Sequence, residues 1–282
     1  MREMLAAPCF FGQYNRFIMR NKAKNRLQCK KFSCVNRNFF ASNENKGEIK
    51  NSKYQYTLLL KPNGHPPRSG LFVCDFLDKI DLFGARVLDV GIGESAILSI
   101  HAVFAGAQEV VGIDIDCEAI KWAKKNIGEN NLNGKVTVKN ISIEDFKDSK
   151  KFDYVISNPP QMPAKKIVST HDDGGRDGRR YIKKIIKFSS KSLNTGGALL
   201  LTAFDFLGVV DRYGEAETIC TLLQNFGFRI ESLGSYIKTA RRGSYTEKSL
   251  PWIKKIYPRY RVERNSSGKI VYKMFVIEAR KA

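Results

Sequence analysis

From about residue 68 onward, short apolar runs alternate with longer segments whose apolar residues recur every three or four positions. No other feature constrains the fold as tightly. "ARVLDV", "EVVGIDI", "KVTVKN", "FDYVIS", "ALLLTAF", "FRIESLGSYI" and "KIVYKMFVIEA" read as strands. Between them, "ESAILSIHAVFAGA", "CEAIKWAKKNIGEN", "YIKKIIKFSSKSL" and "EAETICTLLQNF" have helical spacing. Ahead of the first strand, "SGLFVCDFLDKI" places Phe72, Val73, Phe76, Leu77 and Ile80 on one helical face. Strands joined through helices lie parallel, with helices covering both faces of the sheet. The expectation is an α/β fold with a mostly parallel seven-stranded sheet and an antiparallel C-terminal edge strand. Residues 1–50 are expected to be a mobile basic N-terminal extension and 51–85 a lead-in segment and helix. The main domain is expected over 86–282, with a basic and aromatic insert at about 236–264.

Charge narrows the partners. The 48 Lys and Arg residues against 28 Asp and Glu give a net charge of +20. Such an excess favours a polyanionic neighbour, RNA or an anionic surface, and carries no information about fold. Between Glu3 and Glu44 there is no acid, while Arg16, Arg20, Lys22, Lys24, Arg26, Lys30, Lys31 and Arg37 accumulate. That composition fits a basic arm, or an organellar transit segment as the second choice. No apolar run is long enough to cross a bilayer. The six cysteines form no C-x-x-C pair, which suggests a reducing compartment. The expected location is therefore the cytoplasm, with an organellar matrix as the alternative. Cys9, Cys29 and Cys34 lack an obvious fourth ligand, so no metal is expected. His65, His101 and His171 are read as solvated.

The first strand-to-helix turn carries Asp89-x-Gly91-x-Gly93-x-Ser95. Glycines there let a ligand approach the backbone closely. Asp114 ends the next strand, where a carboxylate can accept both hydroxyls of a ribose. Nicotinamide dinucleotide sites share this plan but lack an acid two residues before the first glycine, and no Walker-type Lys-Ser/Thr follows this turn. Asp89 is instead placed to meet a cationic ligand end. An adenosine with a positive sulfur and an amino-acid tail fits these groups, and that ligand is S-adenosylmethionine.

"SNPPQMP" follows the fourth strand of the sheet and opens on the same carboxyl edge. Neither proline can donate to a ladder, and together they stiffen the loop. The carbonyl groups of Asn158 and Pro159 can then point into the cavity. A planar amide or exocyclic amine about to be methylated needs two acceptors for its hydrogens, and holding both aims its lone pair at the methyl carbon. Asn158, Pro159 and Gln161 are the candidate catalytic residues, with Asn158 also bordering the cofactor.

These residues give the chain a clear resemblance. "PPRSGLF", "VLDVGIGES", "GIDID", "VISNPP" and "GGRDG", followed by "NTGGALLLTAF" and "GFRIESLG", are similar to class I S-adenosylmethionine-dependent methyltransferases of the HemK-like group. The likeness spans about residues 66–282. Characterised members methylate a glutamine amide in peptide-chain release factors. The resemblance implies a Rossmann-like fold and assigns cofactor contacts to Asp89, Gly91, Gly93, Asp114 and Asn158. It adds Ser142, where many members carry an acid for the adenine amine, and Ile143, which would pack on the adenine ring. Gln161 departs from the aromatic residue usual after the two prolines, and Ser95 replaces the third glycine. The implied activity is N-methylation of a planar amide or exocyclic amine, first of all a protein glutamine in a translation-related partner. An RNA base amine, a small molecule and a non-catalytic binding role are the alternatives.

Two further segments have two readings each. "HDDGGRDGRR" either closes over the acceptor or simply lets Asp177 cap the next helix. The stretch "YIKTARRGSYTEKSLPWIKKIYPRYRVER" mixes cations with aromatics, either to hold phosphates and bases or as a solvated surface with Trp252 in the core.

Overall fold

The computed structural model of the chain describes residues 38–43, 46–50, 54–62, 67–165 and 172–282. Its first elements are β1 (Asn38–Asn43), β2 (Lys46–Lys50) and β3 (Gln55–Leu59), which form a small antiparallel sheet in that order. Residues 38–43 and 46–50 thus depart from the expected mobile extension. Lys46 pairs with Leu59 and Lys50 with Gln55, so the apolar "YQYTLLL" run recruits a polar partner strand whose own composition gave no strand signal. The basic arm over 1–37, Cys9, Cys29, Cys34, His65 and His171 lie outside the described residues.

The main sheet follows from the alternation. The elements are α1 (Arg68–Leu77), β4 (Arg86–Val90), α2 (Ile97–Phe104), β5 (Glu109–Asp114), α3 (Cys117–Glu129), β6 (Val136–Asn140) and β7 (Phe152–Ser157). After these come α4 (Arg180–Ser192), β8 (Leu193–Phe204), α5 (Ile219–Asn225), β9 (Phe228–Thr239), α6 (Tyr245–Ile256), β10 (Glu263–Arg264) and β11 (Ile270–Lys281). The fold is a Rossmann-like α/β fold. β6, β5, β4, β7 and β8 are parallel neighbours in that order. β11 lies antiparallel between β8 and β9, so the expected antiparallel pairing is at this end of the sheet. The two-residue β10 adds a short eighth strand beside Ile270 and Val271.

Alternate residues of the central strands face opposite cores, as the pleat requires. Leu88, Val155 and Leu199 join α4 and α5 residues such as Ile182 and Leu223 on one side. Val87, Ile156 and Leu200 join α1, α2 and α3 residues such as Phe76, Ile100 and Ile127 on the other.

β3 docks on this second layer through side chains that imitate a strand. Asn126 Oδ1 accepts from Leu59 N–H (2.7 Å) while its Nδ2 donates to the Leu59 carbonyl (3.1 Å). One turn on, Asn130 does the same to Thr57 at 2.9 and 2.8 Å. Asn126 also donates to the Glu94 carbonyl (3.0 Å), which ties this brace to the turn after β4. His101 corrects the solvated reading: it is fully buried, 2.9 Å from Asp78 Oδ1 and 3.3 Å from the Tyr56 hydroxyl. It sits on the inward face of α2, where its partners satisfy both ring nitrogens.

Successive connections leave β4 and β7 in opposite directions across the sheet. That divergence opens a crevice at their carboxyl ends. Val90 and Ser157 are register partners there, so the turn after β4 and the loop after β7 stand side by side.

Candidate active site

Asp89 lies next to last in β4 and is 1% exposed. Its Oδ2 accepts from the Ser99 hydroxyl of α2 at 2.7 Å. Its Oδ1 is buried with no hydrogen-bond partner. Burial drives this carboxyl up to about 7, against the Ser99 hydrogen bond and with Asp114 adding to the rise. A buried carboxylate with a vacant oxygen is costly alone and suits a cationic ligand group. The turn that follows is shaped for close approach. Gly91 and Gly93 have φ of +77° and +63°, and a Cβ on Gly91 would meet nothing within 4 Å. Ala96, at the start of α2, holds φ +49° without being glycine, a strained backbone conformation at this edge.

Asp114 ends β5 as expected. Its Oδ2 accepts from Gly93 N–H and its Oδ1 from Asp116 N–H, both at 3.0 Å. Each oxygen retains a lone pair for a ribose hydroxyl. Ile115 is next to it and 59% exposed. An apolar side chain displayed at a ligand-binding edge offers a face to a planar base. Sequence reasoning did not single it out, although its position directly after Asp114 was the available signal.

The loop after β7 is pinned to β8. Thr202 Oγ1 donates to Asn158 Oδ1 at 2.7 Å, which fixes the orientation of the Asn158 amide. Gln161 is 3% exposed, and its amide is used at both ends. Nε2 donates to Thr202 Oγ1 (3.2 Å) and to the Pro159 carbonyl (3.4 Å), while Oε1 accepts from Phe204 N–H (2.6 Å). This corrects the expectation that Gln161 meets the acceptor. Its donors and acceptor are already matched by the protein, so it braces the loop. Thr202 was not foreseen, because a Thr inside an apolar strand gives no signal of its partner 44 positions away.

The glycine-rich segment is a second brace. Met162 N–H bonds to the Asp172 carbonyl (2.8 Å) and Gly174 N–H to the Met162 carbonyl (2.9 Å). A Cβ on Gly174 would stand 2.6 Å from Gln161 Cα, so only glycine permits this approach. Asp177 accepts from Arg179 N–H (2.9 Å) and from Lys183 Nζ (2.7 Å). Burial pushes its carboxyl up, but these bonds outweigh it and hold it below the usual range. The capping reading of Asp177 is corrected: Arg179 is the N-cap of α4 and has no side-chain cap bond, while Asp177 closes a local turn two residues ahead of it.

Ser142 and Ile143 follow β6 on the same edge. Ser142 donates to Asp145 Oδ2 at 2.6 Å and accepts from Asp145 N–H at 3.2 Å, a local turn. Ile143 is 9% exposed and packs with Val90 and Ile113 in the core. Lys238 of β9 reaches the far wall, donating to Ser69 Oγ at 2.7 Å and lying 5.5 Å from the Phe204 ring centre.

A carboxylate with a vacant buried oxygen, a glycine turn with room above it and a second carboxylate at the next strand end fit an adenosyl amino acid. The fold and edge define a class I methyltransferase. The family description "Ribosomal protein L11 methyltransferase (PrmA)" matches residues 71–169. A putative protein N5-glutamine methyltransferase of Methanocaldococcus jannaschii is 32% identical over 159 residues, covering 54% of this chain and 75% of the relative. A release factor glutamine methyltransferase of Geobacter sulfurreducens is 28% identical over 155 residues, covering 51% of each chain. Among solved structures, a putative RNA methyltransferase from Pyrococcus horikoshii shares the fold, with a TM-score of 0.50 at 16% identity over 77% of this chain and 85% of that one. The chain belongs to the HemK-like family of the archaeal relative and is an S-adenosylmethionine-dependent methyltransferase. Among the described residues no helix is long and apolar enough to cross a membrane.

Proposed function

We propose that this enzyme is an N-methyltransferase whose acceptor is a planar amide, the side chain of a glutamine in a translation-linked protein of the cytoplasm. The observation that carries the reading is the Asn158 amide, fixed by Thr202 at the lip of the crevice that also contains the vacant oxygen of Asp89. The glutamine named in the relatives' activities supports the acceptor class.

S-adenosylmethionine, when bound, supplies a methyl carbon made electrophilic by its positive sulfur. Asp89 Oδ1 accepts from the ammonium of the ligand, and Ser99 holds the other carboxylate oxygen so that this one faces the cavity. Asp114 accepts the ribose hydroxyls, while Gly91 and Gly93 leave the space above the turn open. Ile115 packs on the adenine, with Ser142 and Ile143 at the edge of the same face. Asn158 Oδ1 and the Pro159 carbonyl accept the two N–H groups of the acceptor. With both held, the nitrogen cannot turn its lone pair away, and positioning of this kind can lower a barrier by several kcal/mol, about 7–11 at the ideal limit. A weak acceptor suffices for the departing proton, because the N–H becomes strongly acidic only as the nitrogen turns cationic. Gln161 and Thr202 keep the two acceptors from rotating. We assign the crevice to the domain over 86–282 and treat 236–264 as part of its acceptor wall.

The test is transfer from S-adenosylmethionine labelled in its methyl group into an extract of cells lacking the protein, fractionated into protein, RNA and small molecules. Label is expected in the protein fraction, released as N5-methylglutamine on digestion and absent with Asn158→Ala. Label in RNA would instead establish the base-amine reading, which the basic 236–264 segment favours. Label among small molecules would assign a metabolite amine. Cofactor binding with no label anywhere would leave a non-catalytic binder.

A further inference from the structure

The stretch between β9 and β10 has one acid among its cations, and the fold uses that acid elsewhere. Glu247 is the only carboxylate between Glu231 and Glu263. Its Oε2 accepts from Gly243 N–H (2.6 Å), while its own N–H bonds to Ser244 Oγ (3.3 Å). Ser244 is the N-cap and Glu247 reaches back to the residue before it, a variant of the capping box that serves the first turn of α6 and leaves the neighbouring cations unneutralised. Arg241, Arg242, Lys248 and Lys255 are exposed, as is Arg176 of the glycine-rich loop. Among the described residues none of the five forms an ion pair.

Lys248, Trp252 and Lys255 are spaced four and three residues apart, so they share one face of α6. Trp252 is half-buried and held in a fixed orientation. Its indole N–H donates to the Arg176 carbonyl at 3.0 Å. The Arg176 guanidinium and the Lys255 ammonium lie 5.8 and 5.6 Å from its ring centre. An oriented aromatic ring flanked by two unpaired cations is a base-stacking platform beside phosphate ligands. An acidic peptide would use the cations and leave the ring idle. A membrane would need apolar side chains to insert, and among the described residues the large exposed ones are Phe83, Ile115, Phe226 and Ile237, none of them on α6.

The face also adjoins the acceptor loop. Tyr257, just past α6, donates to the Asp177 carbonyl (2.5 Å), and Arg176 and Asp177 belong to the segment clamped onto Met162. We propose that this face of α6, with Arg176, Arg241 and Arg242, docks single-stranded RNA, the cations on its phosphates and Trp252 against a base. The proposal deepens the reading above by making the glutamine-bearing partner a ribonucleoprotein. It rests on that reading only for the acceptor.

The test uses the full chain without cofactor and follows the fluorescence anisotropy of a labelled, uridine-rich RNA oligonucleotide over a salt series. Lys248→Glu/Lys255→Glu is compared with Lys124→Glu/Lys135→Glu, which removes the same charge from an exposed, distant surface. The α6 pair is expected to weaken binding at least tenfold and to reduce the slope of log K against log salt by about 1.4, at ~0.7 for each phosphate lost. The distant pair should change affinity only as much as net charge dictates. Trp252→Ala is expected to cost about tenfold and Trp252→Phe to recover most of it. Unchanged thermal melting shows that a variant is folded, and Lys248→Gln/Lys255→Gln replaces the reversal if it is not. Equal losses from both charge pairs, or no RNA binding by the native chain, would overturn the proposal. So would loss of binding to polyglutamate or phosphatidylserine vesicles with RNA binding intact. Because no methyl transfer is measured, a failed docking and a failed transferase reading are told apart.

Discussion

The turn after β4 and the loop after β7 end neighbouring strands, yet they are built in opposite ways. At the turn, a buried carboxylate oxygen has no partner and Gly91 has open space above it. In the loop, the amides of Asn158 and Gln161 are bonded within the protein and glycine is required by crowding. A pocket that receives a large cationic cofactor has to keep its valences open until the ligand arrives. A loop that aims a small acceptor has to be rigid before it arrives. The difference separates binding from positioning, and each side can be broken alone.

The largest effect is expected from Asn158→Ala. Removing one positioned hydrogen-bonding group from a reacting centre should lower kcat by about 10²–10³-fold. Steady-state transfer with the identified acceptor would show it, and affinity for the cofactor product S-adenosylhomocysteine should change only a few-fold. Asp89→Asn should do the reverse, weakening that ligand by about 10- to 100-fold through loss of a charged hydrogen bond. Its pH dependence sharpens the assignment. Asp89 titrates near 7 because burial resists its charge. A cationic ligand should therefore bind more weakly as pH falls below 7, and the Asn variant should show no such trend in calorimetry. The linkage to stability has the opposite sense. The folded-state value lies above the unfolded one, about 4, so ionising Asp89 destabilises the fold progressively as pH rises from 4 to 7. The Asn variant should melt higher than the native chain above that window and lose the advantage below it.

Thr202→Val tests the brace. It removes the donor to Asn158 and the acceptor for Gln161, and kcat should fall about tenfold with ligand affinity unchanged. Thr202→Ser should restore it, a rescue that a purely packing role would not produce. The smallest expected effect is on stability. Gly174→Ala forces a methyl against the backbone of Gln161 and should cost about 1–3 kcal/mol in denaturant unfolding. Gly91→Ala meets no neighbour and carries only its left-handed φ, a strain of about 1 kcal/mol.

The sequence showed the turn side more fully than the loop side. The strand periodicity, the two glycines and the carboxylates Asp89 and Asp114 are local signals, each readable within a few residues. Fold order followed from the same alternation. Gln161 was misplaced because its direction depends on Thr202 and Phe204 N–H, which only the pairing of β7 with β8 brings near. Ser99 was missed for a similar reason, since helical spacing says which face is inward but not which polar residue meets a strand-end acid. The β1–β3 sheet was missed because its middle strand, β2, is short and polar, so the apolar residues of β1 and β3 showed no partner, and His101 because the sequence does not display its buried partners Asp78 and Tyr56.

One paired measurement addresses the division between the two half-sites directly: calorimetric titration of S-adenosylhomocysteine into Asn158→Ala and Asp89→Asn. The account predicts near-native binding in the first and a loss of at least tenfold, without pH dependence, in the second. Equal losses in both, or native affinity in Asp89→Asn, would contradict it.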